Sequence, residues 1–240
     1  MKKTLLALSL GLLAVEVSAH ALWIAQVNGA PTVSFGHTGT NTDAYDVGGI
    51  KNTFALKADG SKAELKAIAK EDFVVFESLE GLGIVTATLD EGYMTEDPKT
   101  GEEINKRGDQ VKGATSSFRV LNYTVAYQNP RIKPQALGLG LEILPSVNPA
   151  SLKQGEMLKV QVLLDGKALA DAQVNSYYFD AEAKTYSTDK EGFASIPVAT
   201  NEFNILDVEH EIEDPKDPFE GLVQNSSLTF RAKHSGEHKH

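Results

Sequence analysis

The chain has 240 residues, with 33 acidic and 23 basic side chains for a formal charge of −10, and no cysteine. That balance disfavours nucleic acid and anionic membrane surfaces as partners and is compatible with cations. The missing cysteine excludes disulfides, Cys-based zinc or iron–sulfur sites and thiol catalysis, so stability must come from packed cores.

The first segment reads as an export signal. Lys2 and Lys3 precede an apolar run from Thr4 to Val15, too short to span a bilayer, and Val17-Ser18-Ala19 offers small or tolerated residues to a signal peptidase. Cleavage after Ala19 makes His20 the first residue of the mature protein. Ala19-His20-Ala21 also reads as an A-x-A site, and cleavage after Ala21 discards His20. No later segment has the roughly twenty consecutive apolar residues of a membrane helix, so the mature chain is expected to have no membrane span, and the export signal places it in the periplasm.

Alternating, β-branched runs follow at 21–27, 32–35, 53–58, 73–76, 84–89 and 117–127. Turn formers separate them: Asn28-Gly29, Asp59-Gly60, Asp90-Glu91-Gly92 and Pro98-Lys99-Thr100-Gly101. Residues 62–71 fit a strand or a helix by composition. Pro130, Pro134, Gly138 and Gly140 then interrupt the pattern, which predicts a linker over 128–140. A second series of strands is expected at 141–144, 157–164, 172–179, 193–198, 203–208 and 228–231, with Asp165-Gly166 as a tight hairpin turn. The expectation is an all-β chain of two immunoglobulin-like or transthyretin-like β-sandwich domains after a cleaved signal peptide. Its parts are signal peptide 1–19, N-terminal sandwich 20–127, linker 128–140, C-terminal sandwich 141–232 and a His-rich tail 233–240.

Chemistry centres on the six histidines, at 20, 37, 210, 234, 238 and 240. An N-terminal histidine binds one metal ion through its α-amine and its own imidazole, a chelate that no internal residue can copy, and metal binding drives loss of the amine proton. A second imidazole completes three nitrogen donors, a set suited to nickel, cobalt, copper or zinc. His37, in Phe35-Gly36-His37-Thr38-Gly39, is the candidate: a hairpin around Asn28-Gly29 brings residues near 20 and near 37 to the same end. The alternative for His37 is a turn histidine bonded locally. His234, His238 and His240 form a tail that either captures metal weakly or is merely solvated. His210 lies in Glu209-His210-Glu211-Ile212-Glu213-Asp214-Pro215-Lys216-Asp217-Pro218, either a further ligand among carboxylates or part of a solvated acidic loop. Trp23, the only tryptophan, either packs beside the site or anchors the first strand in a core. No G-x-S-x-G elbow, P-loop or dinucleotide glycine fingerprint occurs, and the chain is expected not to be an enzyme.

Two resemblances add to this reading. Leu163-Leu164-Asp165-Gly166-Lys167-Ala168-Leu169 through Val174, followed by Thr188-Asp189-Lys190-Glu191-Gly192-Phe193-Ala194, is similar to the hairpin and turn of transthyretin-like carboxypeptidase regulatory domains. That likeness implies architecture and no catalysis. The mature chain as a whole resembles an exported β-rich family of largely unknown function that is grouped with periplasmic components of nickel and cobalt uptake systems. The resemblance rests on His20-Ala21-Leu22-Trp23, Phe35-Gly36-His37, Glu91-Gly92-Tyr93, Asp165-Gly166-Lys167, Thr188-Asp189 with Gly192, and Ser227-Leu228-Thr229-Phe230. It implies a protein that binds a divalent transition metal, nickel or cobalt before copper or zinc, and presents it to a membrane transporter component, with His20 and His37 at the family's histidine positions. Two other functions fit the same residues: a histidine-brace copper protein, either carrier or oxidase, and a structural or adhesive β-sandwich module whose histidines are incidental.

Overall fold

A computed structural model describes residues 20–37, 41–77, 81–177 and 184–233, and their regular structure is β apart from three 3-10 turns. The expected signal segment and His234, His238 and His240 lie outside the described residues. The first half contains β1 (His20–Val27), β2 (Ala30–His37), β3 (Asn41–Thr42), β4 (Ile50–Lys57), β5 (Lys62–Glu64), β6 (Ala67–Ala69), β7 (Val74–Phe76), β8 (Leu82–Glu96), β9 (Glu103–Ile104) and β10 (Phe118–Tyr127). The second contains β11 (Leu141–Pro145), β12 (Met157–Leu164), β13 (Lys167–Ala168), β14 (Gln173–Tyr177), β15 (Lys184–Ser187), β16 (Phe193–Pro197), β17 (Phe203–Ile212) and β18 (Gly221–Arg231). Among the described residues no helix is long and apolar enough to cross a membrane.

Two dipeptides fix the hairpin registers. Asn28 and Gly29 both take positive φ, 50° and 79°, as do Asp165 and Gly166 at 48° and 74°. Two consecutive left-handed residues make the two-residue turn whose twist matches antiparallel strands. Val27 therefore faces Ala30, and Leu164 faces Lys167.

The strands assemble into three sheets that form a sandwich-like fold without a closed barrel. One has the order β1-β2-β7-β6, with β3 on β2; a second runs β15-β14-β17-β18-β10-β8-β4-β5, with β9 on β8; the third is β11-β12-β13, with β16 on β12. The second sheet is the middle layer. Ala55, Val85, Ala87, Leu89 and Ala126 on one of its faces pack with Leu22, Ile24, Val33, Val74 and Phe76 of the first sheet. On the other face Val125, Tyr127, Leu206, Val208 and Leu228 pack with Ile143, Leu158, Val160, Val162 and Ile196 of the third. This explains why β8 is buried without a break from Leu82 to Leu89, and β10 from Asn122 to Tyr127. A strand covered on both faces reads as a continuous buried run rather than an alternation.

Strands from both sides of 128–140 thus share one sheet, with β10 and β18 paired in parallel from Phe118↔Gly221 to Tyr127↔Phe230. The segment expected as a linker is itself packed. Ile132 and Leu139 are buried in the larger core. Asn148 Nδ2 donates to the carbonyls of Asn129 and Ile132 at 2.9 and 2.7 Å, and the buried Glu142 carboxylate accepts from the Leu137 amide at 2.8 Å. The prolines and glycines prevent a regular strand there, and these side chains supply the hydrogen-bond partners that a ladder otherwise would.

Two local expectations change. Asp90-Glu91-Gly92 is no turn: β8 runs through it, and the register passes from Leu121↔Asp90 to Val120↔Gly92, leaving Glu91 as the extra residue of a bulge. Gly92 takes φ 78° there, and Asp90 Oδ1 accepts from its amide at 3.1 Å. Residues 62–71 form two short strands in different sheets, with Leu65 buried where the chain crosses between them.

Candidate metal site

The Asn28-Gly29 turn determines what His20 meets. In β1 and β2 the paired residues are His20↔His37, Leu22↔Phe35 and Ile24↔Val33, so the two histidine positions close the open end of the hairpin. Directly opposed residues of an antiparallel pair hold their Cα atoms about 4.5–5.5 Å apart. His37 extends the frame on its other side, pairing with Asn41 of β3.

Among the described residues the His20 ring meets Phe35 and Asp43. It stacks on Phe35, with centroids 5.4 Å apart and planes 13° from parallel, and its Nε2 lies 3.3 Å from Asp43 Oδ2. Both neighbours belong to a fixed frame. Phe35 is buried and meets Tyr45 edge-on at 6.2 Å; the Tyr45 hydroxyl donates to the Val33 carbonyl at 3.1 Å and accepts from the Val74 amide at 2.9 Å. Burial pushes the Tyr45 phenol up to about 12, against the hydrogen bond from Val74. The Asp43 amide donates to the Phe35 carbonyl at 2.8 Å, which fixes where its side chain starts. The side chains of His20 and Asp43 are 38% and 44% exposed, so this corner is open to solvent.

β1 is anchored from beneath by hydroxyls of the middle sheet. Ser227 Oγ donates to the Leu22 carbonyl, and Thr229 Oγ1 donates to the Ile24 carbonyl at 3.2 Å. Trp23 faces away from the histidine corner by strand alternation and is buried with Ala21 and Ile205, against Tyr177 and Phe203. It is therefore a core anchor.

The structure does not bring His210 to this corner. His210 pairs with Gln224 on β18, and alternation along β17 puts it on the face of Leu206 and Val208, toward the third sheet, whereas β1 crosses the opposite face. The acidic stretch after it is engaged by an internal cation. Arg107 pairs with Asp217 at 2.5 Å and Glu220 at 2.9 Å, and also with Asp109, while Tyr93 donates to Glu220 at 2.7 Å. Among the described residues no three His, Asp or Glu side chains gather into a metal-holding group. Asp43 is the site residue that sequence reasoning missed. It reaches His20 through the return from β2 into β3, and no spacing rule links the two positions.

The family model described as a domain of unknown function, DUF4198, matches residues 17–212. The chain belongs to the DUF4198 family. The matched DUF4198 span includes His20, His37, Asp43 and His210, and stops before β18, although β18 lies between β10 and β17 in the middle sheet. No curated protein matches the chain.

Proposed function

We propose that this DUF4198 protein is an exported, periplasmic carrier of a divalent transition metal, held by the amine and imidazole of a mature N-terminal His20 and by the imidazole of His37. The observation that carries the reading is the His20↔His37 pairing at the open end of the first hairpin. The donor chemistry fits the group: two imidazoles and an amine suit borderline metals such as nickel, cobalt, copper and zinc. The donor set reaches three nitrogens only when cleavage after Ala19 frees the amine of His20, whose ring lies beside Asp43 and Phe35. When bound, the metal is cargo for a membrane transporter component. Nickel and cobalt are preferred here on the strength of the resemblance to uptake components. The likeness of Asp165-Gly166 and Asp189–Gly192 to a transthyretin-like domain adds a scaffold role to the second half. There the Asp189 carboxylate accepts from the Glu191 and Phe193 amides at 3.0 and 2.8 Å.

The same three nitrogens also favour a second reading, a copper carrier of the histidine-brace kind, because copper stands highest in the divalent affinity order. Calorimetric titration of nickel, cobalt, copper and zinc into exported protein tests both. Saturable binding of one ion per chain, weakened at least about tenfold by His37→Ala, is expected, since loss of a ligand costs more than loss of its outer-shell partner. No saturable binding of any of the four overturns the proposal.

A further inference from the structure

His20 has two ring nitrogens, and only one can serve the chelate. The ring atom nearer the main chain, Nδ1, closes a six-membered ring with the residue's own nitrogen and a metal; Nε2 is too far from that nitrogen to do so. In a neutral imidazole one nitrogen carries the proton and the other the lone pair, and the hydrogen bond made by the first decides which. Here Nε2 is the atom 3.3 Å from the Asp43 carboxylate. The stacking of the ring on Phe35 restricts its rotation, and the Asp43 main chain is tied to the same Phe35. Ring plane and carboxylate are thus set by one local frame rather than by two independent loops.

We propose that Asp43 is a positioning residue: its carboxylate accepts the Nε2 proton of His20 and so presents Nδ1, beside the residue's own main-chain nitrogen, as the metal-binding atom. The inference rests on the metal-carrier reading and adds to it the atom that binds and the group that selects it. It matches the general arrangement in which a metal-ligating histidine donates its other N–H to a carboxylate, which fixes the tautomer and raises the basicity of the ligand nitrogen. An amide oxygen at position 43 keeps the acceptor, whereas a methyl group removes it.

The test uses exported protein whose intact mass begins at His20, labelled with ¹⁵N-histidine and free of metal. Long-range ¹H–¹⁵N correlation at pH 8.5 is expected to show His20 protonated at Nε2 and unprotonated at Nδ1 in the wild type and in Asp43→Asn, with mixed tautomers in Asp43→Ala. Nickel affinity by calorimetry is expected to fall about 10- to 100-fold in Asp43→Ala and to be largely restored in Asp43→Asn. A wild-type His20 protonated at Nδ1 overturns the inference without needing any variant to fold. Equal nickel affinity in the wild type and a folded Asp43→Ala overturns it as well. Failure of the wild type to bind any of the four ions, with the Nε2-protonated tautomer in place, instead overturns the carrier reading.

Discussion

Asp207 holds a carboxyl where the neutral form is favoured. It lies on β17 opposite Ser227, on the sheet face that β1 crosses. Burial pushes it up to about 7 from an ordinary 3.8, helped by the Glu209 charge and opposed by hydrogen bonds from Asn175 and Tyr177. Its Oδ1 has no hydrogen-bond partner among the described residues. Because the folded value exceeds the unfolded one, the folded state binds more protons between those two values, and stability falls as pH rises from about 4 to about 7. Asp207→Asn should flatten that slope and raise stability at pH 8 by on the order of a few kcal/mol, at about 1.4 kcal/mol per pKa unit. Thermal unfolding of both proteins from pH 4 to pH 8 checks this, and parallel curves contradict it. Residues differ in how far the sequence reveals them. The pairing of His20 with His37 follows by counting outward from Asn28-Gly29, because a two-residue turn leaves one register. The roles of Asp43 and Arg107 were not legible, since each is set by chain returns that bring distant residues together, as when Arg107 meets Asp217.

Elements were legible where local chemistry alone decides them. Both two-residue hairpins stand where Asn-Gly and Asp-Gly predicted them. The Asp90–Gly92 segment looked like another turn because acidic residues and glycine favour left-handed backbone equally in turns and in bulges; β10 keeps it in a sheet, pairing Leu121 with Asp90 and Val120 with Gly92. Gly92→Ala tests the bulge. An L residue at φ 78° is strained, and its Cβ would stand 3.1 Å from Asn105 Oδ1, whose amide donates to the Glu91 carbonyl at 2.6 Å. A loss of about 2 kcal/mol is expected from backbone strain with a weakened hydrogen bond, read as a lower midpoint in urea unfolding. An unchanged midpoint would mean that the bulge carries no such constraint. Asp90 beside it is held well below the usual carboxylate range, first by the Arg119 guanidinium and then by Lys51, so both strands that flank β8 grip the bulge.

The all-β architecture was legible from strand spacing, but the layering was not. Pairing of β10 with β18 joins residues about a hundred positions apart, and no local pattern encodes such a contact. The unbroken burial of Leu82–Leu89 reflects it after the fact: Val85 and Leu89 serve one core while Ile84 serves the other. The same layering supports the proposed site, because the middle sheet holds β1 through Ser227 and Thr229 while β2 supplies His37 and Phe35 and the segment after β3 supplies Asp43. Pairing with β2 along one edge and the two hydroxyls from the middle sheet fix β1, so the proposed site at its first residue needs little ordering when it binds, which favours affinity. The most direct test is the native mass of protein recovered from the periplasm and equilibrated with nickel, cobalt, copper or zinc. The expected species is a chain beginning at His20 that carries one metal ion. A chain beginning at Leu22, or one beginning at His20 that retains no metal, would contradict it.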